Sequence, residues 1–191
     1  MKDRFFYPLL VLVIAGILAL ALLPGSRHTN LQPDEITRVG YLLSGSDLQK
    51  LTAAPGTEVS FKGGGEGVPL LAVLSSNNPR KFAPASAGVF STLGPNYEAG
   101  FGGYDLEITI TARAGQEKPL AEFKAGYFTV GVGDSGWKNF TLSEDFKDYS
   151  FTFKPNPPKS KPGNDFVGIW PGDEGKSNIM ELKSIKIKVI Q

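Results

Sequence analysis

The sequence predicts an all-β protein, an antiparallel β-sandwich or jelly roll of about eight or nine strands, behind one N-terminal transmembrane helix. Three observations point there. From Glu58 onward apolar residues recur at every second position, the period of a strand with one buried and one wet face. The 191 residues include 23 Gly, 14 Pro and 13 Phe, a composition suited to many short strands joined by turns. The run from Phe5 to Leu23 carries no charge.

That run is interrupted only by Tyr7, Pro8 and Gly16. As a helix it spans roughly 28 Å, close to a hydrocarbon core of about 30 Å. Pro8 falls in the first turn, where a missing N–H costs little. Phe5, Phe6 and Tyr7 suit the headgroup level, Lys2 and Arg4 precede them, and Arg27 and His28 follow the far end. The expected topology is a cytoplasmic tip at residues 1–4, a single-pass helix at 5–23 in the cytoplasmic (inner) membrane, and a periplasmic or otherwise extracytoplasmic C-terminal domain. A signal peptide cut after Ala21 is the alternative, since Ala19-Leu20-Ala21 has the small-x-small pattern of a cleavage site. Against it, the run is long for a signal core and cleavage would leave Leu22 and Leu23 at the new N-terminus. Ala15 and Ala19, with Gly16 beside them, form a small-residue pair that would let another membrane helix approach.

Residues 24–57 read as a linker or collar. Pro33-Asp34-Glu35 looks like a helix start, with Pro in the first turn and acids at the positive end of the dipole. A second short helix is expected from Ser46 to Leu51, and Ala53-Ala54-Pro55-Gly56 then breaks the chain. Ile36, Val39, Leu42 and Leu43 imply that part of the collar packs on something.

Residues 58–191 are the expected sandwich. Leu106, Ile108, Ile110 and Ala112 alternate with polar residues, as do Tyr149, Phe151 and Phe153, and then Ile185, Ile187 and Val189. Further strands are expected at 58–62, 69–75, 88–93, 127–132, 139–142 and 165–170, separated by turns such as Gly63-Gly64-Gly65 and Pro155-Asn156-Pro157-Pro158. Lys186 and Lys188 would guard the last strand against edge pairing if it lay at an edge.

Composition excludes several functions. With 20 basic and 19 acidic residues there is no basic excess for nucleic acid, and with no cysteine there is no thiol catalysis or thiolate metal site. His28, the only histidine, lies next to the apolar run, so a Ser-His-Asp triad has no base in the domain. Gly63-Gly64-Gly65-Glu66-Gly67 lacks the Lys-Ser/Thr of a phosphate loop. Nothing calls for a cofactor.

Gly103 to Arg113 resembles the strand that opens the second half of galactose-binding-like jelly rolls. Phe140-Thr141-Leu142 with Asp148 to Phe153 resembles that family's hairpin pair, and Met180 to Ile187 resembles its closing strand. The resemblance implies a jelly-roll β-sandwich of a kind that includes many carbohydrate-binding modules. The family's closing strand often carries an acid that helps hold calcium. Lys183 stands near that place, and Glu181 should point to the face opposite Leu182.

No catalytic residues emerge, and the metal content is left open. Loop carboxylates Asp134, Glu144, Asp145, Asp148, Asp165, Asp173 and Glu174 would serve a hydrolase only if two met across a cleft. The loop Asp173-Glu174-Gly175 offers oxygens for calcium without regular ligand spacing. Candidate sugar-stacking residues are Trp170, Trp137 and Tyr97, with Asp173 and Asn178 as polar partners; the competing reading, the more ordinary one for such folds, is that both Trp cap the ends of the sandwich core. The first functional expectation is therefore a non-catalytic accessory subunit of a larger membrane assembly, contacting the bilayer and other integral subunits. The alternative is a membrane-tethered carbohydrate-binding module with a glycan partner. A carboxylate-dependent hydrolase is the third.

Overall fold

A computed structural model describes residues 31–130 and 133–190. The run Phe5–Leu23, with Ala15, Gly16 and Ala19, lies outside these residues, and among the described residues no helix is long and apolar enough to cross a membrane. The described residues form twelve strands: β1 (Tyr41–Ser44), β2 (Thr52–Ala53), β3 (Thr57–Lys62), β4 (Leu71–Ser76), β5 (Val89–Leu93), β6 (Leu106–Ala114), β7 (Glu122–Thr129), β8 (Gly133–Asp134), β9 (Lys138–Thr141), β10 (Lys147–Phe153), β11 (Asp165–Trp170) and β12 (Ile179–Val189). They form two antiparallel sheets. The first runs β10-β6-β12-β4-β3 with β1 also on β12; the second runs β2-β5-β11-β7 with β8 and β9 both on β7.

The count exceeds eight or nine because β1, β2 and β8 are two to four residues long, too short to display a period. The strand expected at 127–132 sits instead at Glu122–Thr129, where Phe123, Ala125 and Tyr127 share the buried face. The last strand is interior, not an edge. One flank of β12 pairs with β6, the other first with β4 and then with β1.

Residues 31–57, expected as a collar ahead of the sandwich, are woven into it. Helix α1 (Pro33–Val39) starts at Pro33-Asp34-Glu35 with the Glu35 carboxylate accepting the Gln32 N–H at 3.0 Å. Ile36 is fully buried, whereas Val39 and Leu42 are exposed, because the helix ends at Gly40 and the chain continues as β1. Gly40 has φ 77°, and a Cβ there would run into the Ile187 carbonyl oxygen, so the turn from helix to strand needs glycine. The expected second helix is a 3-10 helix at Gly45–Lys50 that delivers Leu48 to the core.

Two buried carboxylates are handled in opposite ways. Glu181 is 1% exposed on the outer side of the first sheet, as its place in the pleat requires, and is held by Lys62 and by Arg113, whose Nε donates at 2.9 Å. Burial pushes this carboxyl up, but the hydrogen bonds and charges of Lys62 and Arg113 outweigh it and hold it below the usual range. Asp165 is fully buried at the start of β11, accepts the Tyr127 hydroxyl at 2.5 Å through Oδ2, and leaves Oδ1 without a partner. Burial, with repulsion from Glu98, pushes it up to about 6 against the Tyr127 hydrogen bond.

Removing the Glu181 carboxylate leaves two cations facing each other, so Glu181→Ala should lose about 1–3 kcal/mol in urea unfolding at pH 7. For Glu181 the native form is stabilised above its unfolded value of 4.5, and that contribution fades as pH falls through the native value. Asp165 acts with the opposite sign: its contribution is complete below 3.8 and is lost as pH rises through about 6. Thermal unfolding of Asp165→Asn between pH 4 and 7 should lack that second loss; an unchanged pH profile would refute this role.

Candidate functional site

Strand β11 lies in the middle of the second sheet, and its alternation sets both faces. Asp165, Val167 and Ile169 face the core, which leaves Phe166, Gly168 and Trp170 on the other side. The neighbouring strands continue that outer face: Phe90 of β5 and Gly126 of β7 flank Gly168, and Phe128 stands opposite Phe166. Gly126 and Gly168 leave room for an aromatic ring. A Cβ on Gly126 would come within 2.8 Å of the Phe128 Cζ, and one on Gly168 within 3.0 Å of its Cε2.

Segments on either side turn this face into a cleft of about 600 Å³. Its lining is Phe90, Phe128 and Phe166 from the sheet, Arg80, Pro84, Ala85, Ser86 and Ala87 on one side, and Asp134, Gly136 and Trp137 on the other. Phe90 and Phe166 meet edge to face at 5.6 Å, and Phe128 tilts against Trp137 at 5.0 Å. Polar groups are few. Ser86 accepts the Gly88 N–H at 3.1 Å and keeps its own hydroxyl hydrogen, while Asp134 accepts the Gly136 N–H at 2.8 Å.

The two tryptophans have different fates. Trp137 is half-buried and lines the cleft. Trp170 is fully buried beneath the 78–88 segment and has no face to offer a sugar, so its expected stacking role is replaced by packing. Arg80 joins them, its Cζ 5.1 Å from the Trp137 ring centre and 5.0 Å from that of Trp170. Its Nη1 donates to the Ala83 carbonyl at 2.6 Å and its Nη2 to that of Pro84 at 3.1 Å.

The other expected residues lie elsewhere. Tyr97, in helix α2 (Pro95–Phe101), packs edge-on against Tyr41 at 5.2 Å at the margin of the core, and burial raises its phenol. Asp173 and Asn178 line a second depression of about 370 Å³ with Glu122, Lys124 and Asn139. This depression carries ion pairs: Asp173 binds Lys124 at 2.6 Å and Glu174 binds Lys176 at 2.5 Å. Ammonium groups thus occupy the two carboxylates considered for calcium. Among the described residues no group of three or more His, Asp or Glu is placed to hold a metal ion.

Phe90, Phe128, Phe166 and Arg80 were not singled out by the sequence. The available signal was an outward Phe on each of three strands. What the chain order hides is that β5, β11 and β7 are neighbours.

No family model and no curated protein matches the chain. Solved structures do resemble it. The N-terminal CBM22-1–CBM22-2 tandem domain of Paenibacillus barcinonensis Xyn10C has a TM-score of 0.55 at 12% identity, covering 79% of this chain and 46% of that one. The CBM22-1–GH10 modules of Clostridium thermocellum endo-1,4-β-D-xylanase 10B, complexed with xylohexaose, give 0.54 at 10% identity over 80% of this chain and 29% of that one. The CBM22-2 xylan-binding domain of the P. barcinonensis protein gives 0.54 at 9% identity over 78% and 99%. This chain spans less than half the length of the first two chains. At such identities the likeness is one of fold, the two-sheet β-sandwich of carbohydrate-binding modules, in keeping with the expected antiparallel sandwich.

Because the chain has two tryptophans, the burial difference is directly readable. Trp137→Phe should leave only the sealed Trp170, with blue-shifted emission poorly quenched by acrylamide. Trp170→Phe should leave a red-shifted, quenchable indole.

Proposed function

We propose that this domain is a carbohydrate-binding module that holds glycans in the cleft on the second sheet without cleaving them. The observation that carries this reading is the lining itself: Trp137, Phe90, Phe128 and Phe166 clustered on one face, with isolated polar groups at the edges. A pyranose ring has one face of C–H bonds and a rim of hydroxyls. An aromatic wall removes the C–H face from water, while Ser86, Asp134 and Arg80 meet the rim. The volume of about 600 Å³ lies within the usual range for ligand clefts.

Two comparisons support the choice. The lining contains a single carboxylate, Asp134, whereas glycoside hydrolysis uses two across the scissile bond. The solved structures sharing this fold include modules named for xylan binding and one complexed with xylohexaose. The accessory-subunit reading rests chiefly on Phe5–Leu23, outside the described residues, whereas the glycan reading rests on a cleft with named walls.

Calorimetric titration with xylo-, cello- and manno-oligosaccharides tests the proposal. The folded protein should bind at least one series, and Trp137→Ala should weaken it about tenfold, the equivalent of one lost ring contact. Asn178→Ala, in the second depression, should bind as the parent does. A folded protein that binds no glycan, or a Trp137→Ala variant of full affinity, would overturn it.

A further inference from the structure

Arg80 has no acidic partner. The other partly buried cations of the sandwich do: Lys62 and Arg113 share Glu181, and Lys124 pairs with Asp173. Among the described residues no carboxylate lies within ion-pair reach of Arg80, although its Nε is sealed from water with no partner at all. The flanking indoles of Trp137 and Trp170 stabilise the cation in part, but they supply no counter-charge.

Its hydrogen bonds do not explain the charge either. A guanidinium has five N–H hydrogens. One from each Nη goes to the carbonyls of Ala83 and Pro84, an arrangement that fastens the loop and that a neutral amide donor would also favour. One hydrogen on each Nη remains uncommitted. Each can donate a charge-assisted hydrogen bond to an anionic oxygen. Arg80 lines the cleft, so the uncompensated charge belongs to the same space as the aromatic rings.

We infer that the cleft is built for acidic glycans, with the carboxylate of a uronic acid residue seated on Arg80 while a neighbouring ring lies against Trp137. This rests on the carbohydrate-binding reading and narrows it to a ligand class. Asp134, the one negative group in the lining, is exposed and engaged with the Gly136 N–H. It opposes an anionic ligand from the far wall without neutralising Arg80.

The test compares matched ligands by calorimetry at pH 7: glucuronic-acid-substituted against unsubstituted xylo-oligosaccharides, and oligogalacturonates against their methyl esters. In at least one pair the acid form should bind tenfold or more tighter, and its advantage should shrink as salt rises from 50 to 500 mM. Arg80→Gln should erase the difference between acid and neutral forms, whatever affinity it leaves to the neutral partner. Asp134→Asn should enlarge it, and this variant does not disturb the Arg80 loop if Arg80→Gln folds poorly. Equal affinity of acid and neutral forms, or an acid preference that survives Arg80→Gln, overturns the inference and leaves glycan binding standing. If neither form of any ligand binds, the carbohydrate reading itself fails and the inference falls with it.

Discussion

In the closing strand the pleat slips by one residue at Lys183. On the β6 side Leu182 pairs with Ala112 and Ser184 with Thr111, so Lys183 has no partner and bulges out. Before the bulge Met180 and Leu182 are buried; after it Ile185 and Ile187 are, a change of phase that an uninterrupted strand forbids. The same strand is flanked by β4 in its first half and β1 in its second, so both halves must face inward correctly for the first sheet to close. With the core covered from that side, the second sheet needs only one of its faces for packing, and its outer face is free to carry a cleft.

That outer face shows how one strand serves two purposes. β11 gives Val167 and Ile169 to the core and Phe166 and Trp170 to the other side, so it is apolar at nearly every position. An apolar residue on the outer face of a sheet needs a cover or a ligand. Trp170 has a cover, the segment bearing Arg80. Phe166, Phe90 and Phe128 are only half-buried and line open space instead. Trp137 and Trp170, which look equivalent in the sequence, are therefore the two sides of one clamp around a guanidinium.

Charge follows the same division. Glu181 is compensated by two cations and stays ionised, while Asp165 has a tyrosine hydroxyl and no cation and is pushed toward its neutral form. Both lie away from the cleft lining. What remains in the cleft is an unpaired cation on one wall and an exposed carboxylate on the other, an asymmetry that a bound polar ligand would feel directly.

The sequence by itself determined the class of fold. Period-two alternation in β6, β10 and β12, and turns rich in Gly and Pro, need no partner to be read, because they reflect which side of a strand faces water. It also placed the helix at Pro33 and singled out Trp137, which lines the cleft. Tertiary structure decided the rest. Residues 41–44, expected as part of the collar, became a strand because β12 offered a free flank. Trp170 was hidden and Phe90, Phe128 and Phe166 were gathered because β5, β11 and β7 are adjacent in space and far apart in sequence. A period is local and survives in a single chain. A binding face is a product of strand order, which long-range pairing alone sets.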